Sequence, residues 1–117
     1  MKLFERTFGG TAIVALAITA LPLKAAETGD PAAGERKTTM CQGCHGIPGY
    51  HTAFPEVYHV PRIGGQHAAY IVKALQEYKA GNRSHPSMRA IAAGLSDKDM
   101  ADLAAYYSAE ASKTAAK

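Results

Sequence analysis

The chain has 117 residues, a formal net charge of +3, 20% charged residues, two cysteines and no tryptophan. That length allows one small domain with a modest core. No Lys/Arg stripe and no basic patch interleaved with aromatic residues is present, which excludes a nucleic-acid binder.

The first element is a leader. Lys2 and Arg6 give it a basic start, Thr11 to Leu21 form an apolar run, and Ala25 and Ala26 are small enough for cleavage. This is the pattern of a secretory signal. The run falls short of the about 20 residues that a membrane-spanning helix needs. Leu23 and Lys24 are poor neighbours for a cleavage site, so retention as an N-terminal anchor is the alternative. Cleavage is expected to remove residues 1–25 and leave a domain of residues 26–117. That domain holds ten Lys/Arg against nine Asp/Glu, close to neutral.

Asp30 followed by Pro31 marks a helix start, with Asp as N-cap and Pro in the first helical position. A helix from Pro31 is expected to run into the cysteine pair. Gly34 within it costs roughly 1 kcal/mol against alanine, a tolerable cost if another helix crosses very close.

Cys41-Gln42-Gly43-Cys44-His45 reads C-x-x-C-H, the pattern for covalent haem attachment. Two thiols add across two vinyl groups, so they must lie about one helical turn apart on one face. The next residue, His45, then sits under the iron and can offer an imidazole nitrogen. A redox dithiol would want a βαβ context, and none is visible. A structural zinc site would want four paired ligands, and His51, His59, His67 and His85 do not supply the spacing. A disulfide would close only a very small loop.

Residues 46–65 read as loop, interrupted by Pro48, Gly49, Pro55, Pro61, Gly64 and Gly65. A loop of that length in a compact domain is expected to wrap something, and haem is the candidate. His67 to Lys79 reads as a helix with Ile71, Ala74, Leu75 and Tyr78 on one face and Gly81 at its end. Residues 82–87 read as a polar loop that Met88 closes, followed by a short helical stretch over 91–93. The last helix starts at Ser96, with Asp99 as its capping-box partner and Leu95 and Met100 as a hydrophobic staple. Its tail from Ala109 is expected to fray. No strand is expected, and the fold class is all-α.

The iron's second ligand decides the chemistry. Met40 directly precedes Cys41 and cannot reach around the ring, and Met100 serves the staple. Met88 lies 43 residues after His45, enough chain to return on the opposite face. A His/Met pair closes the iron and raises its potential. His85 is the rival ligand, and a solvated loop histidine is its other reading. An open site would instead mark a ligand sensor or a peroxidase-like enzyme.

The chain resembles a class I c-type cytochrome, closest to the bacterial monohaem c4/c553-like group. The resemblance rests on Cys41-Gln42-Gly43-Cys44-His45-Gly46, on Pro61-Arg62-Ile63-Gly64-Gly65-Gln66 with Tyr70, on Gly81-Asn82-Arg83, on Met88, and on Gly94-Leu95-Ser96-Asp97 with 103–107. It implies a small class I fold, three main helices and short ones wrapped around one haem c. Cys41 and Cys44 would carry the thioethers, and His45 and Met88 would be axial ligands. The carbonyl of Pro61 would accept from the His45 ring. Gly34 would meet Leu103 and Tyr106 where the first and last helices cross. The c4 group carries two such domains, whereas this sequence reads as one. Arg62, Arg83 and Gln66 are candidates for the haem propionates. His51 and His59 enrich the 47–60 loop and either modulate potential, touch a partner or sit as ordinary surface residues.

The resemblance implies a periplasmic electron-transfer protein, not an enzyme, shuttling one electron between redox partners of a respiratory chain. A monomer is expected, docking briefly on an oxidase, a reductase or a dehydrogenase. Membrane contact would come only from such docking or from an uncleaved leader. The alternative is a cytochrome subunit of a periplasmic dehydrogenase complex that oxidises a sulfur compound or an alcohol.

Overall fold

The computed structural model describes residues 27–54 and 57–115, with the side chains of the last helix described as far as Glu110. The expected leader, residues 1–25, lies outside the described residues.

Asp30 caps the first helix, α1 (Pro31–Arg36), by accepting from the Ala32 N–H at 2.9 Å. The single helix expected to run into the cysteines is broken. Lys37 turns back onto Gly34, and the hydroxyl of buried Thr38 donates to the Glu35 carbonyl at 2.8 Å. This local bond competes with the helical ladder, as threonine hydroxyls do. The chain restarts as α2 (Thr39–His45), and Gly46 ends it.

The segment expected to be plain loop holds a small hairpin, β1 (His51–Thr52) and β2 (Tyr58–His59). The strands are antiparallel, with His51 opposite His59 and Thr52 opposite Tyr58. The Val60 N–H donates to the Tyr50 carbonyl at 2.9 Å, and Val60 is buried, which anchors the hairpin's return. Strands of two residues are too short to show alternation in sequence.

The loop after Pro61 is tied down by the Gly65 N–H, which donates to the Tyr107 carbonyl at 2.8 Å. Helix α3 (Ala68–Ala80) then buries Ile71 and Leu75, at the spacing expected. Gly81 takes φ +83 beyond its end, and the Asn82 N–H closes on the Glu77 carbonyl at 3.0 Å. Only glycine adopts that left-handed turn without steric cost.

Helix α4 (Pro86–Ala93) begins well before the 91–93 stretch expected from sequence. Pro86 stands at its first position and His85 caps it. Met88 therefore lies in the first turn of a helix and not in a loop. Helix α5 (Asp97–Ala115) carries the expected capping box: the Asp99 N–H donates to Ser96 Oγ at 3.1 Å, and the Ser96 N–H donates to Asp99 Oδ2 at 2.9 Å. The backbone stays helical past Ala109, where fraying was expected.

The core is Ile71 and Leu75 of α3, Ala92 of α4, and Met100, Leu103, Ala104 and Tyr107 of α5. Helix α5 is its spine, packing on α1 along one side and α3 along the other. The α1–α5 crossing is close enough that a Cβ on Gly34 would stand 2.1 Å from the Asp102 carbonyl oxygen and 2.8 Å from Tyr106 Cβ. The nearest atoms there belong to Asp102 and Tyr106. Tyr106 was expected there; Leu103, the other residue expected, belongs to the core cluster.

Asp102 is a residue that helical periodicity does not single out. It is 1% exposed. One oxygen accepts the Asp30 N–H at 2.7 Å and the Lys98 ammonium, and the other accepts the Lys37 ammonium at 2.7 Å. These donors hold its carboxyl well below the usual carboxylate range. The N-cap of α1, its C-cap and the first turns of α5 thus meet on one carboxylate.

Candidate haem site

Helix α2 presents two thiols and an imidazole within its last five residues. Cys41 and Cys44 are three residues apart and half-buried, both free thiols, and His45 is the last helical residue. The residue between them that could interfere, Gln42, is turned away: its amide nitrogen donates to Thr38 Oγ1 at 2.8 Å. Gly43 has open space where a side chain would be.

His45 Nδ1 lies 2.6 Å from the Pro61 carbonyl oxygen. A carbonyl can only accept, so Nδ1 carries the proton and donates. Nε2 is left with its lone pair free for a metal. The partner comes from the 61–66 loop, which the Gly65–Tyr107 bond fixes to α5.

Burial pushes the Cys41 thiol up. It faces the Tyr107 hydroxyl, which is buried and makes no conventional hydrogen bond. The pair of a buried phenol and a sulfur is weakly polar, suited to border an apolar disc. Met88 is half-buried and packs against the same core cluster as Cys41, Ile63 and Val72.

Large apolar side chains lie exposed on the loop and helices around this region. Phe54 and Val57 are 86% and 80% exposed, Met40 is 69%, and Ile47, Tyr58 and Tyr70 are about half. Such side chains gain most from an apolar partner of their own size. The donor set and its surroundings fit haem c: two thiols one turn apart, an oriented imidazole, a thioether on a separate helix and an apolar fringe.

The propionate candidates differ. Arg83 donates to the Tyr70 hydroxyl at 3.3 Å and lies 4.7 Å over the Tyr78 ring. The carboxamide oxygen of Gln66 accepts the His67 N–H at 2.9 Å. Arg62 is exposed. His51 and His59 meet edge to face across the hairpin with ring centres 4.7 Å apart.

The family model for cytochrome c matches residues 31–108, which takes in every element from α1 through most of α5. The chain belongs to the cytochrome c family. Within it, this is a class I cytochrome of the c4 type. It is 42% identical to cytochrome c-554(548) of Halomonas halodenitrificans over 85 residues, which cover 70% of this chain and 98% of that protein. The solved structure of reduced recombinant cytochrome c4 from Pseudomonas stutzeri superposes with a TM-score of 0.50 at 31% identity. That match covers 72% of this chain and 51% of the other, so the cytochrome spans about half the c4 chain. A protein named as a thiosulfate dehydrogenase electron acceptor, from Stutzerimonas stutzeri, is 40% identical over 56% of this chain and 29% of its own length. The cytochrome carries a covalently bound haem c and transfers electrons. Among the described residues, no helix is long and apolar enough to cross a membrane.

Proposed function

We propose that Cys41 and Cys44 would hold the haem through thioethers, that His45 Nε2 and the Met88 thioether would be its iron ligands, and that the protein is a periplasmic one-electron carrier between redox proteins of a respiratory chain. The haem supplies a one-electron iron couple. The rest is what the chain does around it. Pro61 holds the His45 ring through Nδ1–H, which fixes its orientation and strengthens Nε2 as a donor. Met88 as a ligand would favour the reduced iron and raise the potential. With His45 and Met88 both bound to it, the iron would have no position for a substrate, which supports a carrier and not an enzyme. One hydrogen bond carries this reading: His45 Nδ1 donates to the Pro61 carbonyl at 2.6 Å, the arrangement a metal-binding histidine needs.

Export fits this reading, because the Lys2–Ala26 segment has the pattern of a secretory signal. A second reading, a cytochrome subunit of a dehydrogenase complex oxidising a sulfur compound, is favoured by the likeness to the thiosulfate dehydrogenase electron acceptor. Purification from the native periplasm separates the two: a carrier runs alone, and a subunit travels with a larger protein.

Replacing Cys41 and Cys44 together by alanine is expected to leave haem that acid acetone extracts. Colour retained by the polypeptide would sink the thioether assignment. The methionine–ferric charge-transfer band of the oxidised protein reports Met88, and its absence would remove that ligand.

A further inference from the structure

We propose that His85 is a positioning residue for Met88, and that the 51–59 hairpin acts on it through Tyr58. This inference rests on reading Met88 as the second iron ligand. His85 is the residue before α4, in extended backbone at φ −168, ψ 106. Its ring Nδ1 accepts the Met88 N–H at 3.3 Å. Met88 is in the third helical position, where the N–H has no partner inside the helix. The imidazole therefore closes the one loose backbone group of the residue that carries the thioether.

The ring itself is held from two other elements. Tyr58 of β2 meets it edge to face with centres 5.0 Å apart, and Tyr78 of α3 meets it at 6.4 Å in the same manner. Edge-to-face aromatic pairs are directional, so they fix the ring's plane as well as its place. Asparagine or serine could cap α4 equally well. Neither could take the Tyr58 and Tyr78 contacts, because neither has a ring. A histidine cap thus links the hairpin to the first turn of α4, which an ordinary cap would leave independent. This gives the aromatic, histidine-rich loop a role at the iron's far side, with no contact to the iron needed.

The test uses the haem-loaded protein and follows cyanide binding to the ferric form, the methionine–ferric band and the reduction potential. Cyanide must displace the thioether, so its rate reads how firmly Met88 is held. His85→Ala is expected to speed binding about tenfold, the factor that loss of a typical N-cap represents, and to weaken the band and lower the potential. His85→Asn restores the cap and should recover most of this. Tyr58→Ala keeps the cap, loses the hairpin link and should speed binding about threefold. Ser96→Ala removes a comparable cap from α5 and should leave the rate unchanged. Wild-type rates in both His85→Ala and Tyr58→Ala, or equal acceleration by Ser96→Ala, would overturn the inference while leaving Met88 as ligand. A wild-type protein lacking the band would overturn the Met88 reading, and this inference with it. Should His85→Ala fail to fold, Tyr58→Ala against Ser96→Ala still decides.

Discussion

The α1–α5 crossing and the α2–hairpin–α4 side of the molecule are built on opposite terms. At the crossing, backbone touches side chain with no room for a Cβ, and a buried carboxylate collects a backbone N–H and two ammonium groups. Every polar partner there is supplied by the polypeptide. On the other side stand two free thiols and an imidazole whose Nδ1 is bonded to a carbonyl, and large apolar side chains of α2, the hairpin and α3 are exposed. One region is complete as protein, and the other, on the reading proposed above, is completed by the haem. Small domains commonly need such a staple.

Substitutions can break that division, and the largest effect belongs to the crossing. Gly34→Leu puts four carbons where one cannot fit, against a carbonyl 2.1 Å from the position of Cβ. Destabilisation of about 3 kcal/mol or more is expected, seen as a collapsed melting temperature in haem-loaded and haem-free protein alike. An unaltered melt would show that the two helices do not meet there.

Next comes Asp102→Asn. It leaves the Lys37 and Lys98 ammonium groups facing an amide and should lower the melting temperature clearly. The acid response follows from the same carboxylate. Its folded-state pKa is depressed from the ordinary 3.8, as is that of Asp99, so their stabilisation is complete above that value and is lost as pH falls below it. Acid titration of the melting temperature should therefore be steeper for the wild type below about pH 4 than for Asp102→Asn. Parallel curves would remove Asp102 from the account.

On the haem side the effects should be spectroscopic before they are structural. Met88→Ala is expected to open the iron to exogenous ligands and to lower the potential, while the far-ultraviolet circular dichroism stays helical. Unchanged spectra would refute the axial role. The smallest effect is Tyr107→Phe, at the seam between the two regions. The buried hydroxyl makes no conventional hydrogen bond, so its removal should be neutral or stabilising by less than about 1 kcal/mol. A marked loss would reveal a bond from this hydroxyl in the haem-loaded protein.

Local chemistry was legible from the residues alone. Asp30-Pro31, Ser96 with Asp99, and Gly81 each specify a helix end within a few residues of chain, and each is found where those residues place it. The Cys41–His45 spacing announced its cofactor for the same reason: thiol and imidazole positions are set by one turn of one helix. The start of α4 at Pro86 is hidden in the sequence, because His85 does not look like a cap until its ring accepts from the Met88 N–H. The hairpin escaped because two-residue strands carry no period.

What the sequence by itself determined, then, is where α1 and α5 start and α3 stops, which glycine permits a close crossing, and which five-residue stretch has the spacing for haem attachment. Only the tertiary structure decided that α1 breaks before the cysteines, that Asp102 gathers three donors across 72 residues of chain, and that Tyr58, Tyr78 and His85 converge beside Met88. The physical reason is range. Caps and thiol pairs are fixed by neighbours within one helical turn, while a buried carboxylate or a clamped ring is fixed by partners that only folding brings within reach.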